Sequence, residues 1–259
     1  MSTILECSDL VKDFSSKNGI VRAVDGLSLK IQKGEVYGLV GESGSGKSTL
    51  ANMITALLPP SSGKILFENQ DISRFTKAGF PRKDLLDFRK KAQIIFQDPY
   101  ESLNPRHKIA SIIGEGLKIH KIGADAEERR RLVNEMRTLV ALPPDVLDKY
   151  PSELSGGQRQ RVAIAASMIL RPEFVVCDEC VSSLDVLIQA QILKLLKEMH
   201  KSLKLTYFFI SHNLKVVVYM ADRIGVMYKG KIVEEKSTED LLNNPEHPYT
   251  KKLLAAADL

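Results

Sequence analysis

The sequence predicts an α/β fold in which a mainly parallel sheet is interrupted by an inserted helical subdomain. Short apolar strands alternate with helical segments over most of the chain, a pattern that indicates parallel strands joined by helices. From about Leu103 to Leu170 the chain shows helical periodicity and no convincing strand. Two glycine-rich segments suited to phosphate binding lie far apart, Gly41–Thr49 after a short strand and Leu154–Gln158 within the helical stretch.

Composition and charge narrow the class of protein. The 259 residues are 44% hydrophobic and 27% charged, which is typical of a soluble globular protein with one large domain or a core plus a subdomain. The formal charge of +5 is compatible with a nucleic-acid or acidic-membrane partner, but no long basic run stands out. We therefore expect a dispersed, solvated surface and no nucleic-acid partner. No apolar run approaches the ~20 residues that span a bilayer, so we do not expect the chain to cross a membrane by itself.

The three cysteines favour a reducing compartment, because the set is sparse and odd in number. Cys177 and Cys180 have the spacing of a CxxC motif, but zinc needs four ligands, so this pair alone is a weak signal for a metal or redox site.

The individual elements follow from apolar periodicity and from turn residues. Val21–Ile31 alternates as a half-buried strand does, and Val36–Val40 is a short apolar strand that leads into the first glycine segment. The helix after that segment ends at Pro59–Gly63. Further strands are predicted at Lys64–Phe67, Ala92–Phe96, Phe174–Cys177, Thr206–Ile210 and Ile224–Tyr228. Further helices are predicted at Pro81–Lys91, Ile109–Gly116, Ala124–Val140, Gly157–Leu170, Val186–Leu203 and Asn213–Ala221.

The first glycine segment matches the phosphate-loop pattern GxxxxGK[ST] in full and lies between a strand and a helix, the context that this motif requires. Its glycines let backbone N–H groups turn inward toward phosphate oxygens, Lys47 supplies a mobile positive charge, and the Ser48 hydroxyl can ligate Mg²⁺. We therefore predict an ATP site formed by Gly41, Glu42, Ser43, Gly44, Ser45, Gly46, Lys47, Ser48 and Thr49.

Two acidic residues, Asp178 and Glu179, follow the apolar strand Phe174–Cys177. Successive strand residues point to opposite faces, so the two carboxylates are predicted to have different roles. Asp178 would hold the water shell of the magnesium ion, and Glu179 would act as the general base or water-orienting residue of hydrolysis.

The second glycine segment, Leu154-Ser155-Gly156-Gly157-Gln158, precedes an amphipathic helix and, with the preceding motifs, resembles the signature of the ATP-binding cassette of ABC proteins. The resemblance covers nearly the whole chain. It implies a P-loop NTPase (RecA-like) core with a mainly parallel sheet, an N-terminal antiparallel β subdomain and an inserted helical subdomain. Residues 1–259 would form one nucleotide-binding domain, with residues 1–102 and 166–259 as the core and 103–165 as the helical subdomain that carries the signature.

The resemblance also assigns roles to single residues. Gln97 matches the glutamine-loop residue that contacts Mg²⁺ or the attacking water, and His212 matches the switch histidine that touches the γ-phosphate. Asp185 ends the motif Ser183-Leu184-Asp185, which matches the D-loop. Phe14 is the candidate for stacking on adenine, with a buried core role as the alternative. The family commonly has proline after the catalytic glutamate, whereas this chain has Cys180, which puts the rate of hydrolysis in question.

In this family two cassettes pair head to tail, so Ser155, Gly156, Gly157 and Gln158 would serve the ATP held by the other chain. ATP would close the dimer and its hydrolysis would release it.

The resemblance is narrower at two stretches, Gln97–Arg106 and Asn244–Thr250, which are similar to the ATPases of oligopeptide, dipeptide and nickel importers. It implies a peripheral protein at the cytoplasmic face of the membrane, partnered by a second ATPase subunit, transmembrane permease subunits and, indirectly, a substrate-binding protein. Peptides and nickel or metallophores stay open as alternative cargoes, because other subunits recognise them. The alternatives in function are an ABC-type accessory subunit of a soluble enzyme complex, similar to that of carbon–phosphorus lyase, and a regulatory cassette that binds ATP without hydrolysing it.

Overall fold

A computed structural model of the chain describes residues 2–16, 19–76 and 81–258. The β-strands are β1 Thr3–Ser16, β2 Gly19–Gln32, β3 Val36–Val40, β4 Ser62–Phe67, β5 Gln70–Asp71, β6 Ala92–Ile95, β7 Phe174–Asp178, β8 Thr206–Ser211, β9 Arg223–Tyr228 and β10 Lys231–Ser237. The α-helices are α1 Lys47–Ile54, α2 Arg82–Lys91, α3 Pro99–Ser102, α4 Ile109–Ile113, α5 Glu115–Ile119, α6 Ala126–Leu139, α7 Gly156–Met168, α8 Val186–Leu203, α9 Leu214–Met220, α10 Thr238–Asn243 and α11 Pro248–Ala256. Two short 3₁₀ helices precede α7, at Pro144–Asp148 and Pro151–Glu153.

The chain divides into two compact units, one made of residues 1–85 and 205–259 and the other of residues 86–204. This division does not test the predicted boundaries of the helical subdomain at 103 and 165, which stay a prediction.

The first unit contains an antiparallel sheet with the strand order β2-β1-β4-β5, which confirms the antiparallel N-terminal part of the fold. It also contains the strands β10-β9-β3-β8 in that order, with β3 parallel to both of its neighbours. Every residue of β3 and of β8 is buried, as expected for parallel strands covered on both faces. The fold is therefore α/β with a mainly parallel sheet, as predicted.

The second unit contains the parallel pair β6 and β7 together with a group of helices. Within the described residues between these two strands the regular structure is helical only, as the periodicity predicts. The α7 helix packs against α4 and lies over β6. Its residues Val162, Ile164 and Ala165 are fully buried in this packing.

Strand β10 was not predicted, although it pairs along its length with β9. Its sequence, Lys-Ile-Val-Glu-Glu-Lys-Ser, carries three charged residues in succession at its centre, and that charge hides the alternation of a strand. Among residues 2–16, 19–76 and 81–258, no helix is both long enough and apolar enough to cross a bilayer.

Candidate functional site

The phosphate loop connects β3 to α1 and is built so closely that glycine is required at two positions. A Cβ atom at Gly41 would lie 2.2 Å from the carbonyl oxygen of Met227, and one at Gly46 would lie 2.2 Å from that of Ala23. Gly46 also has φ +108°, a left-handed conformation that side chains rarely adopt. Of the predicted loop residues, those at 41–46 form the connection itself, and Lys47, Ser48 and Thr49 begin α1.

Lys47 lies in the first turn of α1 with only 4% of its surface exposed. Its Nζ donates to the carbonyl oxygens of Gly41, at 2.7 Å, and Glu42, at 2.8 Å, so the ammonium group is drawn back across the loop. Gly46 is the N-cap residue of α1 and makes no side-chain capping hydrogen bond. The positive end of the helix dipole therefore faces the loop. The Lys47 ammonium group and the amino end of α1 thus lie at the same loop, the combination that phosphate binding uses.

His212 leaves the sheet beside the phosphate loop. β3 and β8 run parallel with Val40 opposite Ser211, so Gly41 and His212 are the next residues at the same edge. The carboxyl ends of neighbouring parallel strands are where ligands bind in open α/β sheets. The structure therefore brings His212 next to the loop, and its contact with a γ-phosphate stays a prediction.

Phe14 lies on β1 opposite Val21 of β2, and its side chain is 41% exposed. It is therefore not a core phenylalanine, which was the alternative interpretation. The Nζ of Lys12 lies 5.3 Å from the centroid of the Phe14 ring. Further along β2, the carbonyl of Ala23 abuts Gly46, so the same hairpin runs past the phosphate loop. Adenine stacking on Phe14 stays a prediction.

In the second unit, Gln97 and the acidic pair follow adjacent parallel strands. β6 and β7 pair with Ile95 opposite Cys177, and Gln97 and Glu179 each come two residues later. Asp178 is buried at 7% exposure. Glu179 has φ +49°, and its carbonyl oxygen accepts from the amide and the hydroxyl of Ser182 at 3.0 and 2.9 Å. A tight turn held by Ser182 thus imposes an unusual backbone conformation on the predicted catalytic residue.

The signature segment begins α7, where Ser155 and Gln158 form a reciprocal capping box. Asp185 caps α8 by accepting from the amide of Ile188 at 3.0 Å. A Cβ atom at Gly157 would lie 2.7 Å from Cγ2 of Ile188, so the two helix starts are in close contact. The structure thus brings the predicted signature and D-loop residues together. The residues after Asp185 are open to solvent, with Val186 84% and Leu187 69% exposed.

The donor set fits a magnesium nucleotide. Ser48, Gln97 and Asp178 all offer oxygen atoms, which is the type of ligand that Mg²⁺ prefers. The glycines at 41 and 46, where a Cβ atom would meet backbone carbonyls, let the loop take the close backbone path that phosphate loops need.

Sequence reasoning missed Tyr249, whose hydroxyl accepts a hydrogen bond from the backbone amide of Glu42 at 2.9 Å. This residue belongs to the stretch Asn244–Thr250, which from the sequence indicates only similarity to the importer ATPases. The histidine, proline and tyrosine in that stretch were the available signal.

Comparison with known protein families finds a match between residues 24–182 and the family model described as ABC transporter. The oligopeptide transport ATP-binding protein OppF of Bacillus subtilis (strain 168) is 49% identical over 256 residues, which are 99% of this chain and 83% of that protein. The oligopeptide transport ATP-binding protein AppF of the same organism is 46% identical over 261 residues, with coverage of 98% and 78%.

Solved structures agree with the fold. The dimeric post-hydrolysis ATP-binding cassette MJ0796, bound to ADP and Pi, superposes with a TM-score of 0.81 at 27% identity, covering 90% of this chain and 98% of that one. The cbiO1 protein of Clostridium perfringens, part of the ABC transporter complex cbiONQ, superposes with a TM-score of 0.79 at 28% identity, covering 100% and 95%.

Proposed function

Because this chain belongs to the ABC transporter family and is an ATPase of that type, we propose that it powers a membrane importer of oligopeptides or dipeptides. The observation that carries the proposal is the near-complete match to proteins named for oligopeptide transport, at 49% and 46% identity. Nickel or a metallophore is the second candidate cargo, supported only by the motif resemblance. The chain would act as a peripheral subunit on the cytoplasmic face of the membrane, with the cargo delivered by a substrate-binding protein.

In the proposed reaction, backbone amides of the phosphate loop and the ammonium group of Lys47 bind the phosphates of ATP, and Phe14 stacks on adenine. Ser48, Asp178 and Gln97 would hold Mg²⁺, which would supply positive charge to offset that of the phosphate oxygens. Glu179 accepts or orients the proton of the attacking water, and His212 stabilises the γ-phosphate. The side chains supply charge and position, which is what phosphoryl transfer requires of a protein.

We propose that Ser155, Gly156, Gly157 and Gln158 bind the ATP of a second cassette, and that ATP-driven closure of this dimer moves the importer. The support is that the start of α7 lies beside the solvent-exposed residues Val186 and Leu187 of α8. Exposed apolar side chains next to an anion-binding helix start are suited to a contact with another chain. The similar cassette MJ0796 is a dimer.

A permease subunit is the proposed membrane partner. A groove of about 170 Å³ in the second unit is lined by Phe96, Ser102, Leu103, Ile112 and Ala163, directly after the glutamine-loop strand. The groove mixes these side chains with the polar side chains of Gln93, Glu115 and Ser167, and Phe96 is 41% exposed. A groove of this mixed character with an exposed aromatic ring suits a short amphipathic helix from a partner.

The catalytic assignment is tested by Glu179→Gln and Lys47→Ala. Each is expected to reduce the rate of Mg²⁺-dependent ATP hydrolysis by about 10²–10⁴-fold, the usual contribution of a positioned catalytic group. Phosphate release by the purified chain measures this effect. Glu198→Gln is the matched control, because it makes the same chemical change at an exposed glutamate of α8 and should leave the rate unaltered. Wild-type rates in both site variants would contradict the assignment.

Copurification tests the importer itself. An affinity-tagged chain extracted from membranes in mild detergent should bring down polytopic permease subunits and a second ATPase subunit. Recovery of soluble enzyme subunits alone would favour the accessory role in a soluble complex instead.

A further inference from the structure

A buried carboxylate on β10 holds the stretch Asn244–Thr250 in place within the first unit. Glu234 of β10 is 8% exposed and accepts from the backbone amides of Glu246, at 2.8 Å, and His247, at 2.9 Å. Burial favours the neutral acid, but the hydrogen bonds that the carboxylate accepts outweigh burial and lower the pKa of Glu234. Glu234 is therefore ionised at neutral pH, and it fixes the backbone just before α11.

The residues after this anchor start α11 in a defined orientation. The Nδ1 atom of His247 accepts from the amide of Tyr249 at 3.1 Å, so His247 caps the helix. Pro248 occupies the first helical position, where the absence of an amide hydrogen costs nothing. Tyr249 therefore lies in the first turn of a helix whose start is fixed by Glu234 and by the His247 cap.

The side chain of Tyr249 reaches from α11 to the phosphate loop. Its ring lies against the ring of Tyr228, at the end of β9, with centroids 4.3 Å apart. Its hydroxyl oxygen accepts from the amide of Glu42 at 2.9 Å. Burial raises the pKa of Tyr249, so the phenol is neutral under physiological conditions. The Glu42 amide is therefore committed to a fixed acceptor outside the loop.

The same peptide is held from its other side. Lys47 donates to the carbonyl oxygens of Gly41 and Glu42, while the carbonyl of Ser45 accepts from the amide of Gly230 at 3.0 Å. Among these hydrogen bonds, the one to Tyr249 can be removed by Tyr249→Phe, which deletes a single oxygen atom. This hydrogen bond lies where β3 ends and the phosphate loop begins.

We propose that Tyr249 is a positioning residue for ATP binding: its hydroxyl holds the Glu42 peptide so that the phosphate loop keeps its curled form before nucleotide arrives. The stretch Asn244–Thr250 then serves the nucleotide site of its own chain. Preorganisation of this kind strengthens binding because the loop loses less conformational freedom when the phosphates bind. The proposal rests on the ATPase activity of the chain and is independent of the cargo.

The test compares Tyr249→Phe with Tyr228→Phe, which removes a hydroxyl from the other ring of the same pair. In the purified full chain, Tyr249→Phe should raise the Kd and the KM for ATP about fivefold, the equivalent of one neutral hydrogen bond, and leave kcat unchanged. Hydrogen exchange at the Glu42 amide should accelerate. Tyr228→Phe should match the wild type in the Kd and KM for ATP, in kcat and in hydrogen exchange at the Glu42 amide.

The contrary outcomes are distinct. An ATP Kd for Tyr249→Phe within twofold of the wild type would overturn the positioning role, and so would a tighter Kd, since that would mean that Tyr249 competes with phosphate. Failure of the wild-type chain to hydrolyse ATP would instead overturn the ATPase activity on which the proposal rests.

A double-substitution cycle tests whether Glu234 acts on the phosphate loop through Tyr249. It also provides a second measurement if one variant is unstable. Glu234→Gln, which weakens the anchor and keeps Tyr249, should raise the Kd for ATP in the wild-type background. In the Tyr249→Phe background it should have no further effect, because the bond through which it acts is already gone. Equal effects in both backgrounds would exclude a connection from Glu234 to the loop through Tyr249.

Discussion

At the scale of single residues, Arg223 shows how one side chain joins parts of the first unit that are distant in sequence. Its Nε and Nη2 atoms donate to Glu35 at 2.7 and 3.2 Å, and it also donates to Glu235 and to the carbonyl of Lys30. Its guanidinium lies 4.8 Å from the ring centroid of Tyr37, a fully buried residue. The planar, forked guanidinium can donate to all of these acceptors at once, whereas the single ammonium group of a lysine cannot.

Arg223→Lys should therefore lower the free energy of unfolding by about 1.5–3 kcal/mol, the range of a lost charge-assisted hydrogen bond. Urea denaturation of the purified chain measures this change. Arg131→Lys is the control, because Arg131 pairs with Glu135 at an exposed site where side-chain exposures are 63% and 48%. Such surface pairs contribute little, so the control should stay within about 0.5 kcal/mol of the wild type. Equal effects of the two substitutions would contradict the role given to Arg223.

What the sequence predicts at this scale depends on how local the chemistry is. Lys47 and Ser48 could be assigned because the whole phosphate loop lies within nine consecutive residues and carries its own pattern. Tyr249 could not, because its partner Glu42 is 207 positions away and the contact depends on the packing of α11. Phe14 was an open choice between ring stacking and the core, and only its exposure excludes the core.

At the scale of elements, strand β3 and helix α9 pack at van der Waals distance because Gly38 lacks a side chain. A Cβ atom there would lie 2.4 Å from Cγ1 of Val217 and 2.8 Å from Cβ of Ala221. Gly38→Ala should therefore destabilise the protein by about 1–3 kcal/mol through overpacking. Thermal and urea unfolding report the loss, with Gly156→Ala as the control because the added methyl there finds its nearest neighbour at 3.8 Å. An unchanged stability would mean that β3 and α9 separate without cost.

Element prediction succeeded where apolar residues follow a clear pattern and failed where they do not. The core strand Val36–Val40 and the helix Val186–Leu203 were predicted with the bounds that the structure has, since an unbroken apolar run or a clear helical period marks each. The edge strand β10 escaped because charged residues lie on both of its faces, with Glu234 buried and Glu235 exposed. Short helices such as α3 and α5 span four or five residues, too few to show a period.

At the scale of the whole molecule, the signature segment raises the question of which chain's ATP it serves. Ser155 and Gln158 satisfy one another, and Gly156 leaves room for a methyl group, with its nearest neighbour 3.8 Å away at Leu184. The packing of the described residues therefore does not explain glycine at position 156. In the proposed dimer, the ATP held by a second cassette would approach this glycine.

Gly156→Ala should accordingly leave thermal stability and the Kd of the isolated chain for ATP unchanged. It should reduce steady-state hydrolysis by about 10²-fold, the loss expected when reacting groups are displaced by about 1 Å. The decisive measurement is a mixture of Gly156→Ala chains with Lys47→Ala chains, each inactive alone. A mixed dimer pairs the intact phosphate loop of the first with the intact signature of the second, so activity should return in part. A signature that served its own chain's ATP would give no recovery, because each chain would then carry a defect in its only site.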